Sequence, residues 1–113
     1  MLQITSNEVF LTRGDSADLE VIIYDLEGNV YELVEGDVLT FTLKYNCITD
    51  DIIIQKDISS DSTIHIQPAD TNDLLYGTYW FDVQLVHGNG KTYTVIDPHK
   101  FNITKEVTFN AGT

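Results

Sequence analysis

Alternation with period two runs through most of the chain. In "ADLEVIIYD", Leu19, Val21 and Ile23 alternate with Asp18, Glu20 and Ile22; in "VLTFTLKY", Leu39, Phe41, Leu43 and Tyr45 alternate with Thr40, Thr42 and Lys44. Successive side chains of a strand point to opposite faces, so each run predicts a strand with one face buried. The pattern returns in "IIIQKDI", in "TIHIQP" through Ile64 and Ile66, and most regularly in "TYWFDVQLVH", where Tyr79, Phe81, Val83 and Leu85 share a side. "NEVFLT" predicts the first strand, and "KTYTVID" and "FNITKEVTF" predict the last two.

Turn-forming residues separate these runs: Arg13-Gly14-Asp15, "EGN" at 27–29, "EGD" at 35–37, "NCITDD" at 46–51, "SSDS" at 59–62, "GNG" at 88–90 and "DPHK" at 97–100. Seven or eight short strands, spaced by turns every ~8–12 residues, predict an all-β, immunoglobulin-like antiparallel β-sandwich, a single domain over residues 1–113. The one helix candidate is "PADTNDLLYG", where Asp70 or Thr71 could cap a single turn ending near Gly77. Tyr79, two residues on, is the candidate corner tyrosine, tying its strand back to the preceding loop as immunoglobulin-like domains do. The alternative is a core aromatic whose hydroxyl reaches water.

Charge narrows the function classes. Six Lys and Arg against eighteen Asp and Glu give a net charge of −12. That density repels a phosphate backbone and an anionic membrane surface, and attracts a basic patch on another protein. Neither nucleic acid nor membrane is therefore expected as a partner. No apolar run approaches a membrane span, and "MLQITSNEVF" lacks the basic-then-apolar pattern of a signal peptide. The single cysteine, Cys47, excludes an internal disulfide, so packing must supply the stability.

Candidate chemistry is sparse. Arg13-Gly14-Asp15 matches the integrin-binding triplet, yet Gly14 can take a positive φ and Asp15 can fold onto nearby N–H groups, which is what a strand-to-strand turn needs. The triplet is read as a turn, with Arg13 projecting outward or pairing with a carboxylate, and no integrin is expected. Asp50, Asp51, Asp57 and Asp61 crowd neighbouring turns, but without DxDxDG spacing they predict no metal site, and no cofactor is expected. His65, His87 and His99 stand in no recognisable arrangement with Ser or Cys, and acidic neighbours disfavour a Cys47 thiolate. A non-enzymatic protein is the expectation. Trp80 runs out of phase with its apolar neighbours and shares its face with Asp82 and Gln84. With Tyr93 or Tyr24 nearby it forms a candidate interface, able to stack on a sugar ring or anchor a protein. Cover by a terminal segment or a second sheet is the alternative.

One resemblance covers nearly the whole chain, from about Phe10 to Thr108. The "TRGD" opening, the "EGD" before a hydrophobic strand, the block from "DT" through "GTYWFDVQL", and the ending from "TVI" to "FNITKEVT" occur in an order that resembles small virion proteins and tail or baseplate domains of phages and prophages of Gram-positive bacteria. The similarity is greatest to the amino-terminal β-sandwich of upper baseplate proteins. The resemblance implies an immunoglobulin-like module of a virion, assembled in the bacterial cytoplasm, that packs against other virion proteins of tail, baseplate or neck, with self-association as a second mode. A carbohydrate-binding or adhesin-like module acting at the bacterial surface is the alternative of a different class.

Overall fold

The computed structural model describes residues 2–5, 7–46, 48 and 51–105. Eight strands form in chain order: β1 (Leu2–Thr5), β2 (Glu8–Thr12), β3 (Ala17–Glu20), β4 (Val38–Lys44), β5 (Ile52–Asp57), β6 (Thr63–Ile66), β7 (Gly77–Val86) and β8 (Thr92–Thr104), with a helical turn α1 (Pro68–Thr71) between β6 and β7. A six-stranded sheet runs β1-β2-β8-β7-β4-β5, and β3 pairs with β6 in a two-stranded sheet. The protein is mostly β, and the two sheets enclose one core between them.

The period-two reading explains that core. Leu39, Phe41 and Leu43 of β4 and Tyr79, Phe81, Val83 and Leu85 of β7 are buried, as are Val9 and Leu11 of β2 and Phe101 and Ile103 of β8. Leu19, Ile64 and Ile66 close the core from the small sheet. Phe41, Phe81 and Phe101 form a cluster of rings across three adjacent strands, with centroids 5.9–6.4 Å apart.

Several expectations are corrected. The sheets are not all antiparallel: β2 pairs with β8 in parallel, Val9 opposite Phe101 and Leu11 opposite Ile103. Alternation buries one face of a strand whichever way its neighbour runs, so it carries no information on direction. An additional strand, β1, precedes "NEVFLT" and pairs with it as a hairpin. The run "ADLEVIIYD" ends as a strand at Glu20. After Val21, whose N–H donates to the Ser62 carbonyl at 2.8 Å, the chain folds into a loose hairpin held by the Tyr24–Val30 bridge and the Tyr31 N–H to Ile23 carbonyl bond. Finally, "DPHK" is no turn. β8 runs straight through it, and Pro98, which has no N–H to donate, lies in a bulge: Phe81 faces His99 while Val83 faces Ile96, one extra residue on β8.

The helical turn begins at Gln67 rather than at Asp70 or Thr71. The backbone N–H of Gln67 donates to the Asp70 carboxylate at 2.7 Å, and Lys56 pairs with the same carboxylate at 2.9 Å. Among the described residues no helix is long and apolar enough to cross a membrane.

Candidate functional site

The Arg13-Gly14-Asp15 turn is built into the structure. Gly14 has φ +83°, a left-handed conformation that a side chain would strain. Its N–H donates to the hydroxyl of Thr71, which is fully buried, at 2.8 Å. Arg13 donates to the Leu74 carbonyl at 3.2 Å, and its guanidinium lies 4.3 Å from the centre of the Tyr76 ring. The triplet thus ties the β2–β3 crossing to the segment between α1 and β7. That same segment is fixed a second time from β7. The hydroxyl of Tyr79, buried against Tyr45, donates to the Leu75 carbonyl at 2.7 Å, and burial raises the Tyr79 pKa above its usual value.

The three aromatic residues expected to act together lie in three places. Trp80 is partly buried on the outer face of the six-stranded sheet. Tyr93 sits opposite Leu85 near the end of that sheet, its ring edge-on to His87 at 5.4 Å. Tyr24 stands exposed on the hairpin after β3. Period two told which face each residue takes within its own run, but not where along the sheet, or in which layer, that run would come to lie.

Around Trp80 the outer face forms a partly open hollow lined by Thr42, Lys44, Asn46, Asp82 and Pro98. Pairing places Lys44 of β4 opposite Trp80 on one side and Lys100 of β8 on the other, with the Lys100 ammonium 6.0 Å from the ring centre. Asp82 pairs with Thr42 on the β4 side, but the bulge in β8 removes its partner on the other. Partial burial raises its carboxyl pKa above the ordinary value, while nearby Lys44 opposes the shift. Alternation puts Asp82 beside Trp80. The lysines and the bulge come from strand pairing, which the linear pattern does not carry.

A second polar cluster, missed in the sequence, closes the far end of β4 and β7. Asp37 has a side chain only 1% exposed; it accepts hydrogen bonds from the Tyr31 hydroxyl and, at 3.0 Å, from the Val34 N–H, and lies 2.8 Å from His87 Nδ1. Because Val38 pairs with Val86, the residues just beyond them, Asp37 and His87, must meet; the signal existed, but only for a reader who knew the pairing. An Asp–His pair can orient a general base, yet among the described residues no hydroxyl or thiol is hydrogen-bonded to His87. The arrangement works as a clasp, tying the hairpin before β4 to the turn after β7.

The clasp has a definite pH signature. The Tyr31 hydroxyl foremost, then the Val34 N–H and His87, hold the Asp37 pKa down from 3.8 to about 2. A folded-state pKa below the unfolded one adds stability above about pH 3.8, and that stability is lost as pH falls through about 2. In urea titrations Asp37→Asn should have a lower midpoint than wild type at neutral pH, and the two should converge as the pH drops through this window. Parallel curves would mean that Asp37 stabilises through some route other than its charge.

His65 lies between two carboxylates, Nδ1 2.7 Å from Asp18 and Nε2 2.7 Å from Asp61. Asp61 and then Asp18 raise its pKa. Asp57 likewise bonds Ser59, and Asp61 the Thr63 N–H, so these two acids of the sequence cluster hold their own turns together. Asp50 and Cys47 lie outside the described residues.

No protein-family model, curated protein or solved structure matches this chain. Its function is read from the geometry and from the ordered residue pattern of the sequence.

Proposed function

We propose that this chain is a non-enzymatic, immunoglobulin-like assembly module of a phage or prophage particle, acting in tail, baseplate or neck through contact with another virion protein. Support for the fold comes from the strand order. β4, β7 and β8 adjoin in one sheet and β3 pairs with β6 in the other, as strands C, F, G and B, E do in immunoglobulin domains, and the Tyr79 bond sits where a tyrosine corner belongs. Support for the particle comes from the resemblance of the ordered motifs.

The observation that carries an assembly role is the hairpin after β3. Ile22, Tyr24, Leu26, Val30 and Val34 are all exposed there, at 52%, 62%, 108%, 60% and 63%. So many exposed apolar side chains on one short segment mark a surface that another protein covers. From residue 14 to residue 43 the chain has eight acids and no Lys or Arg. A second copy would bring the same charge against it, so the fitting occupant is a different subunit with a basic rim around an apolar patch.

Particles purified from the encoding strain should contain the chain, and it should form a complex with one of their tail, baseplate or neck proteins that Leu26→Asp with Tyr24→Asp abolishes. Particles without the chain would overturn the virion reading, and a complex indifferent to the double substitution would overturn the role of the hairpin.

A further inference from the structure

We propose that the hollow around Trp80 and Asp82 is a binding site for a neutral pyranose ring. This goes beyond the assembly reading and uses the opposite layer of the molecule: the hairpin follows β3 of the small sheet, whereas the hollow opens on the outer face of the large one.

Asp82 is partly withdrawn from water, and among the described residues no hydrogen bond or ion pair closes on it. A desolvated acceptor facing an open hollow is a site that favours a donor-bearing ligand. The vacancy beside it has a structural cause. β8 carries an extra residue between His99 and Ile96, so Asp82 has no paired residue on that strand, and Pro98 lines the hollow. Bulges of this kind commonly re-aim side chains next to binding sites.

Lys44 and Lys100 are two of only six cations in the chain, and they flank its one tryptophan. A cationic ligand, including the guanidinium of a partner's arginine, would meet both ammonium groups as it approached the ring. An anionic ligand would meet Asp82 and the net charge of −12. What satisfies both signs is a neutral molecule that donates to Asp82 and accepts from Lys44. Vicinal hydroxyls do both.

The apolar C–H face of a pyranose stacks on an indole, and Trp80 and Asp82 lie two residues apart on one face of β7, about 6.7 Å along the strand. Stacking on Trp80 therefore brings the edge hydroxyls over Asp82 and toward Thr42 and Lys44. Such a site recognises one ring in the open, which predicts weak affinity for a single sugar and gain through repetition on a polysaccharide.

Trp80 is the only tryptophan, so its fluorescence reports this hollow alone. The test titrates the purified protein with the methyl glycosides of glucose, galactose, mannose and N-acetylglucosamine, with glucuronate, glucosamine and methylguanidinium as charged comparisons, following Trp80 emission and backbone amide shifts. At least one neutral glycoside should saturate both signals with a Kd of about 1 mM. Trp80→Ala should abolish the amide shifts, and Asp82→Asn should weaken binding roughly tenfold through loss of the charge-assisted bonds. Leu26→Asp, in the hairpin, should leave the titration unchanged, which separates this site from the assembly surface. No response to any neutral glycoside would overturn the proposal. So would a stronger response to methylguanidinium, which would make the hollow a socket for a partner's arginine.

Discussion

Phe41→Ala lowers the free energy of unfolding by about 3–5 kcal/mol. Phe41 is completely buried on β4 and touches both Phe81 of β7 and Phe101 of β8, so removing its ring takes contacts from three strands at once. The neighbours cannot close the space, because each is held in register by ladders on both sides. Against a total stability of about 5–15 kcal/mol for a domain of this size, the loss takes away a large share. Urea unfolding followed by tryptophan emission should show a much lower midpoint with an unchanged slope, since the surface exposed on unfolding stays the same. A loss below about 1 kcal/mol would show that the ring cluster is not the centre of the core.

Thr71→Val costs about 1–3 kcal/mol although it preserves the shape of the side chain. The hydroxyl it removes is fully buried and accepts the Gly14 N–H, and valine offers nothing in return. The donor left behind lies in a crowded turn: a Cβ on Gly14 would come within 2.9 Å of the Asn72 side chain. Thr71→Ser, which keeps the acceptor, should lose markedly less stability than Thr71→Val, and equal losses for the two would assign the effect to packing. The comparison also bears on the Arg13-Gly14-Asp15 triplet. Its Gly14 is held by Thr71 and its Arg13 by Leu74 and Tyr76, so substitutions there should register first in the melting curve.

Phe41, Phe81 and Phe101 fall on the buried phase of their own runs, and that phase can be read directly from the letters. The Gly14–Thr71 bond joins residues 57 positions apart, and no local pattern pairs them. The candidate site divides in the same way. Trp80 and Asp82 stand on one face by alternation alone, but Lys44, Lys100 and the bulge at Pro98 reach them only through the pairing of β4, β7 and β8.

By itself, then, the sequence determined that the chain is mostly β, which side chains of each strand face the core, where most turns fall, and that the molecule is strongly acidic. All of these follow from interactions within a few residues, because the pleat alternates every residue and turn chemistry is local. Only the tertiary structure decided that β2 runs parallel to β8, that β8 bulges instead of breaking, that Asp37 clasps His87, and that Trp80, Tyr93 and Tyr24 part company. Partner, direction and register are set by the joint fit of whole strands and by loop closure over tens of residues, and period-two alternation is the same for every choice of partner.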